Sequence, residues 1–175
     1  MKIPITVMLL LACGCKEDKV EPVKATITAV NELAEKSQLQ AFFTVSRPSR
    51  PQGVANAVAA RPAIGSEIAV TGRVAGSKKP IGDSASLMLA QTDLPNCVDA
   101  GRKDCPTPWD LCSNDLKGKV CTIQVKGGEG RLLRTSLRGL GGLKEMSVIT
   151  ISGKVSISDE GLLVIDAAQI FVDNP

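Results

Sequence analysis

The sequence predicts an all-β domain, a small five-stranded barrel, and three observations predict it. From Ser66 onward, β-branched and aliphatic residues recur at every second position in short segments separated by Gly-, Pro-, Asn- or Asp-containing stretches. Two of those segments share one form, Ile68-x-Val70-x-Gly72-x-Val74 and Ile149-x-Ile151-x-Gly153-x-Val155. A glycine inside a strand normally weakens it and often marks a sharp bend at a barrel corner. The order of elements is strand, strand, strand, helical turn, strand, strand, with the two glycine-bearing strands first and fourth.

The elements follow in chain order. "EIAVTGRVAG" places Ile68, Val70, Gly72 and Val74 on one face, and "SLMLAQT" (86–92) reads as a second strand. "KVCTIQVK" (119–126) puts Cys121, Ile123 and Val125 on one face and predicts the third. After the turn "GGEG", the stretch "RLLRTSLRG" (131–139) alternates Leu133, Thr135 and Leu137 against Arg134 and Arg138. It predicts a hairpin with the third strand. "LGGLKEM" (140–146) predicts a short helical turn. "VITISGKVSI" (148–157) and "LLVIDAAQIFV" (162–172), joined by a tight turn at Asp159-Glu160-Gly161, complete the barrel.

Upstream the pattern is looser. Residues 16–24 are charged and polar and read as a tether. "ATITAV" (25–30) suggests a short strand, and "NELAEKSQLQAFF" (31–43) one short helix through Leu33, Ala34 and Leu39. Residues 46–62 carry three Pro and three Arg without sustained periodicity, the mark of a flexible linker. The division is residues 1–12 as a signal peptide, 13–65 as tether, short helix and Pro/Arg-rich linker, and 66–175 as the barrel domain, with an insert at 93–118.

The N-terminus predicts an address. Lys2 is followed by an almost wholly apolar run from Ile3 to Ala12, too short for a helix across a hydrocarbon core of about 30 Å. It has the size of a signal-peptide core. The run ends Leu10-Leu11-Ala12-Cys13, which resembles the lipobox of bacterial lipoproteins. That resemblance implies a diacylglycerol on Cys13, which would become the mature N-terminus; Cys15 is the competing site. It also implies localisation at the bacterial cell envelope, anchored to the membrane through the N-terminal lipid and facing the periplasm or the exterior. Several acyl chains together anchor stably where one is marginal.

Composition bounds the chemistry. Aromatic residues make up 2% of the chain, so its core must be Val, Ile, Leu and Ala. The net charge of +3 comes from the region before Ser66; from there on basic and acidic residues balance. A polyanion partner usually demands a concentrated positive surface, so nucleic acid is not the expected partner. Histidine is absent, which excludes Ser-His-Asp and Cys-His catalysis within this chain. Asp110, Asp159 and Glu160 show no paired-carboxylate pattern, and Gly139–Gly142 lacks the strand and helix of a nucleotide loop. The reading is a non-enzyme, with no catalytic residue, metal or cofactor.

The insert 93–118 holds Cys97, Cys105, the only tryptophan (Trp109) and Cys112; Cys121 follows in the third strand. In an oxidising compartment these four cysteines are disulfide candidates, and four allow three pairings. A loop with few apolar residues gains order from such bonds, about 2–4 kcal/mol each. Trp109 is the loop anchor, worth about 3 kcal/mol if fully buried against the barrel. The spacings, seven, six and eight intervening residues, lack the close pairs of a zinc knuckle or a redox motif. Cys121 lies on the inward register, which also suits a buried free thiol; that would leave another cysteine unpaired, which counts against it.

The stretch from Ser66 to Asp173 resembles OB-fold domains of the tRNA-anticodon-binding-like type. More narrowly, it resembles bacterial OB-fold lipoproteins that carry a Cys-Pro-Thr-Pro-Trp-Asp segment, here Cys105 to Asp110. The resemblance implies a five-stranded OB-fold-like barrel and supplies no established activity. Two functions remain. One is a lipid-anchored envelope protein whose barrel binds a protein or small ligand, or serves a structural role. The other is oligosaccharide or nucleic-acid binding through a basic strand face of Arg73, Lys126, Arg134, Arg138 and Lys154. Interleaving of those cations with Glu145, Asp166 and Asp173 would favour the first; one contiguous basic groove would favour the second.

Overall fold

The structure, a computed structural model, describes residues 23–173, with side chains from residue 31 onward. The signal-peptide stretch, Cys13, Cys15 and most of the tether lie outside the described residues. No helix among the described residues is long and apolar enough to cross a membrane.

The elements are helix α1 (Val23–Gln40), strand β1 (Gln52–Gly53), helix α2 (Val54–Ala60), and strands β2 (Glu67–Val74), β3 (Ser86–Ala90), β4 (Val120–Gln124), β5 (Val148–Ile157) and β6 (Leu163–Val172). Strands β2-β3-β4-β6-β5 pair in that order, and β5 pairs back with β2, which closes a five-stranded barrel. All pairings in the ring are antiparallel except β4 with β6. The barrel is OB-fold-like. Its core is aliphatic, as the near absence of aromatics requires: Val70, Leu89, Ile123, Ile149, Ile151, Ile165 and Ile170 are fully buried.

The two glycine-bearing strands are antiparallel neighbours, with Ile68 opposite Gly153 and Gly72 opposite Ile149. Both glycines sit where the barrel allows no side chain. A Cβ on Gly153 would stand 2.2 Å from the Asp166 carbonyl oxygen, at the register shift of the β5–β6 ladder. A Cβ on Gly72 would meet Leu89 Cγ at 2.5 Å and Val54 Cγ2 at 2.8 Å. The repeated form in the sequence thus marks two close approaches of neighbouring strands and helices.

Three stretches differ from the sequence-based expectation. "ATITAV" is not a strand; it lies within α1, which runs unbroken to Gln40. The β-branched residues favour a strand only weakly, and tertiary context overrides such preferences. Leu39 of this helix is fully buried in the barrel core.

Residues 46–62 are not a free linker. Gln52 and Gly53 pair in parallel with Val70 and Thr71, and α2 buries Val54 and Ala57 in the core. Gln91 Oε1 accepts a hydrogen bond from the Ala55 N–H at 3.0 Å and so satisfies one of the free donors of the first helical turn. Upstream of β1, Arg47 donates to the hydroxyls of Thr150 and Thr71 and faces Asp173 at 3.6 Å. Seven helical residues with two buried anchors are too few to register as periodicity.

Residues 131–139 form no strand either. A single bridge joins Lys126 to Leu132. Beyond it, the backbone N–H groups of Arg134 and Thr135 donate to Glu35 of α1 instead of a neighbouring strand. Leu133 and Leu137 are buried as the alternation requires, so the period is real while the ladder is absent. The expected helical turn is present as a short turn at Leu140–Gly142, where Gly141 (φ 56°) leaves room for the Phe43 ring.

Candidate functional site

Ligands of OB barrels bind the outer face of the second and third strands and the loops beside it. Here those strands are β3 and β4. Leu87, Leu89, Cys121 and Ile123 point inward, so alternation places Ser86, Met88, Ala90, Val120, Thr122 and Gln124 on the outer face. The only aromatic side chain associated with it is Trp109, from the insert.

The insert lies over one end of this face. Leu94, Trp109, Leu111 and Leu116 pack with Ala75, Ala90, Val120 and Met146 in an apolar cluster separate from the barrel core. Leu111 is fully buried, although its backbone is left-handed at φ 54°. Trp109 sits in a short turn at Pro108–Asp110, and its indole N–H donates to the Lys78 carbonyl at 3.0 Å. Its own carbonyl accepts from the Gly76 N–H at 2.8 Å. The insert thus ties itself to the β2–β3 loop from both ends of one residue. Arg73 also joins this packing, donating to the Leu94 carbonyl at 3.2 Å. At the other end of the face a hollow of about 170 Å³ remains, lined by Lys79, Ser86, Met88 and Thr122 among others.

The five basic residues expected on a strand face do not form a free patch. Lys126 pairs with Asp166 at 2.8 Å, and Arg138 with Glu145. Burial acts to raise the Glu145 carboxyl, but the Arg138 hydrogen bond and charge hold it below the usual carboxylate value. Arg73 is engaged with Leu94, as described. Arg134 and Lys154 remain exposed, on different elements. Sequence reading did not find Glu35, a half-buried carboxylate that accepts three hydrogen bonds from the 134–135 segment. The Thr135 hydroxyl, the two backbone N–H groups and the Arg134 charge lower its pKa against a smaller effect of burial. Beside it opens a groove of about 660 Å³ between α1 and residues 127–134. An acidic residue at an ordinary helical position carries no signal of such a contact.

The cysteines divide into two groups. Cys97, Cys105 and Cys112 lie in the insert; Cys121 is on the inner face of β4, opposite Leu89. No two of these four sulfurs, the disulfide candidates of the sequence, stand at bonding distance. Cys97 and Cys112 approach to 3.3 Å between sulfurs. Hydrogen bonds from Cys112 and Cys105, followed by burial, push the Cys97 thiol up to about 11. Burial alone pushes Cys121 up to about 12. No cluster of three or more Cys, Asp or Glu suited to a metal occurs among the described residues.

No family model and no curated protein matches the chain. Among solved structures it is similar to an OBody, AM1L10, bound to hen egg-white lysozyme. The identity is 16%, over 75% of this chain and 99% of that one, with a TM-score of 0.41. It is also similar to a small single-stranded DNA-binding protein from Streptomyces coelicolor. There the identity is 17%, over 64% of this chain and 96% of that one, with a TM-score of 0.35.

Proposed function

We propose that this chain is a lipid-anchored protein of the bacterial cell envelope, facing the periplasm or the exterior. Its OB-fold barrel is a non-catalytic binding or structural module for a protein or small ligand. One observation carries the choice of module: Trp109 and Leu111 occupy the outer face of β3 and β4 beside Ala90 and Val120. A groove for single strands needs exposed stacking aromatics along a basic track. Here the one aromatic is turned onto the barrel, and two of the five candidate cations face carboxylates. The anchor rests on Leu10-Leu11-Ala12-Cys13.

Two measurements test this reading. Intact-mass analysis of protein extracted from membranes is expected to find a diacylglyceryl-modified chain beginning at Cys13; an unmodified chain beginning at Met1 overturns the anchor. Fluorescence anisotropy with a labelled oligothymidylate and a sulfated oligosaccharide is expected to show binding no tighter than about 10⁻⁴ M, the weak limit of non-specific association.

The second reading, polyanion binding, is favoured by exposed Arg134 and Lys154, neither of which forms a salt bridge among the described residues. Micromolar binding that is lost in Arg134→Ala or Lys154→Ala would establish it in place of the first.

A further inference from the structure

The sulfurs of Cys97 and Cys112 stand 3.3 Å apart. The backbone around both is pinned. Asn96 Oδ1 accepts from the Val98 and Asp99 N–H groups at 2.8 and 2.9 Å, which fixes the turn that carries Cys97. The Asn114 side-chain amide donates to the Pro95 carbonyl at 2.8 Å and to the Leu111 carbonyl at 3.2 Å. One side chain thus ties the segment before Cys97 to the residue beside Cys112. Cys97 is fully buried and Cys112 is exposed. The other two cysteines are placed differently. Cys105 lines an open hollow of about 590 Å³ at residues 101–106, and Cys121 is sealed in the barrel core. We propose that Cys97 and Cys112 form one dithiol–disulfide couple that latches the insert onto the barrel, while Cys105 and Cys121 stay thiols.

Oxidation by a low-molecular-weight disulfide balances in two steps. Exposed Cys112, as its thiolate, attacks one sulfur of that disulfide. A mixed disulfide forms on Cys112, and one small thiol leaves with the proton that Cys112 released. An Arg102 guanidinium nitrogen, 4.0 Å from the Cys112 sulfur, faces the negative charge that sulfur carries as it attacks. The Cys97 sulfur, having given up its proton, then attacks the Cys112 sulfur. The Cys97–Cys112 bond forms, the mixed disulfide breaks, and the second small thiol leaves with the Cys97 proton. Two electrons and two protons have passed from the pair to the oxidant. This second step draws the two sulfurs together by about 1.3 Å, to bonding distance.

The bond closes a ring over residues 97–112. Trp109 and Leu111, packed on Ala75 and Ala90, lie inside it. The closed ring restricts the states open to the insert once those side chains leave the barrel, and so disfavours their leaving. Reduction removes the restriction and keeps the packing. The couple therefore sets how firmly the outer face of β3 and β4 stays covered. This inference rests on reading the insert as that cover and is independent of the lipid anchor.

The test is disulfide mapping of the full chain after equilibration with an excess of oxidised over reduced glutathione. Alkylation is followed by digestion with trypsin and a protease that cuts at Asp110, which separates Cys105 from Cys112. Wild type is expected to give a Cys97–Cys112 bond, with Cys105 and Cys121 recovered alkylated, and Cys105→Ser is expected to give the same bond. In wild type, a bond from any of the four to Cys105 or Cys121, or no bond among them, overturns the couple, even if a variant fails to fold. Amide exchange is read on the same samples. Trp109 to Leu111 are expected to exchange at least about tenfold more slowly in the oxidised chain than in the reduced one. Cys112→Ser, changed at an exposed position, is expected to lose that difference. The expected bond with equally slow exchange in both states overturns the latch alone. Exchange at the rate of an unfolded segment in both states overturns the cover as well.

Discussion

The Glu35 carboxylate of α1 accepts both the hydroxyl of Thr135, at 2.8 Å, and its backbone N–H, at 2.9 Å, across a hundred residues of chain. A segment that reads as a strand is thereby held by a helix, and the helix by the segment.

This contact has a pH signature. The folded-state pKa of Glu35 is lowered, first by the Thr135 hydroxyl, from an ordinary value of 4.5. A depressed carboxylate contributes stability above its unfolded pKa and loses it as pH falls through the folded one. Glu35→Gln is therefore expected to melt a few degrees below wild type at neutral pH, with the gap closing in acid. Thermal melts at neutral and acid pH check this; an unchanged gap in acid would assign the loss to geometry alone.

Trp109→Ala is expected to release the insert without unfolding the barrel. Full burial of a large aromatic contributes about 3–5 kcal/mol, and half-buried Trp109 is expected to contribute about 2. Amide exchange should rise across residues 93–118 while β5 and β6 stay protected. Uniform loss of protection would show that the insert is part of the barrel's cooperative unit.

Gly153→Ala is expected to cost about 1–3 kcal/mol, because the neighbour at 2.2 Å is a backbone carbonyl that cannot swing away. Gly161→Ala tests a different constraint: nothing lies within 4 Å of the added carbon there, and only the positive φ of 77° resists it. Urea denaturation of both variants separates crowding from backbone strain, and a larger loss at Gly161 would reverse the expectation.

Cys121 makes the barrel sensitive to alkali. Its pKa is raised by burial from 9.0 to about 12, so between those values the unfolded chain sheds a proton that the folded chain keeps. Stability is expected to fall by about 1.4 kcal/mol per pH unit in that window. The slope should lessen in Cys121→Ala, measured by denaturation at successive alkaline pH values.

The strands that sequence reading located best are those whose burial alternates without outside help. β5 matches its expected span, and β2 and β6 differ only at their ends. The two glycines were legible because strand periodicity isolates them; what crowds each was not, since Val54 and Asp166 come from elsewhere in the chain. Trp109 stood out in the sequence through its rarity; the cluster it packs against, with Ala75 and Ala90, did not. The Lys126–Asp166 and Arg138–Glu145 pairs were not, because separation along the chain hides them. Residues 131–139 show the limit most clearly. Alternation reports which side chains are buried, and is silent on whether the backbone partner is a strand or one helical carboxylate.

Closure of the ring bears on how a partner can be recognised. Strand edges left open recruit other chains by adding a strand, in useful complexes and in aggregates alike. Among the described residues the sole strand outside the ring is β1, two residues long. The barrel therefore offers almost no backbone template for another polypeptide to copy, and a partner must read side-chain chemistry.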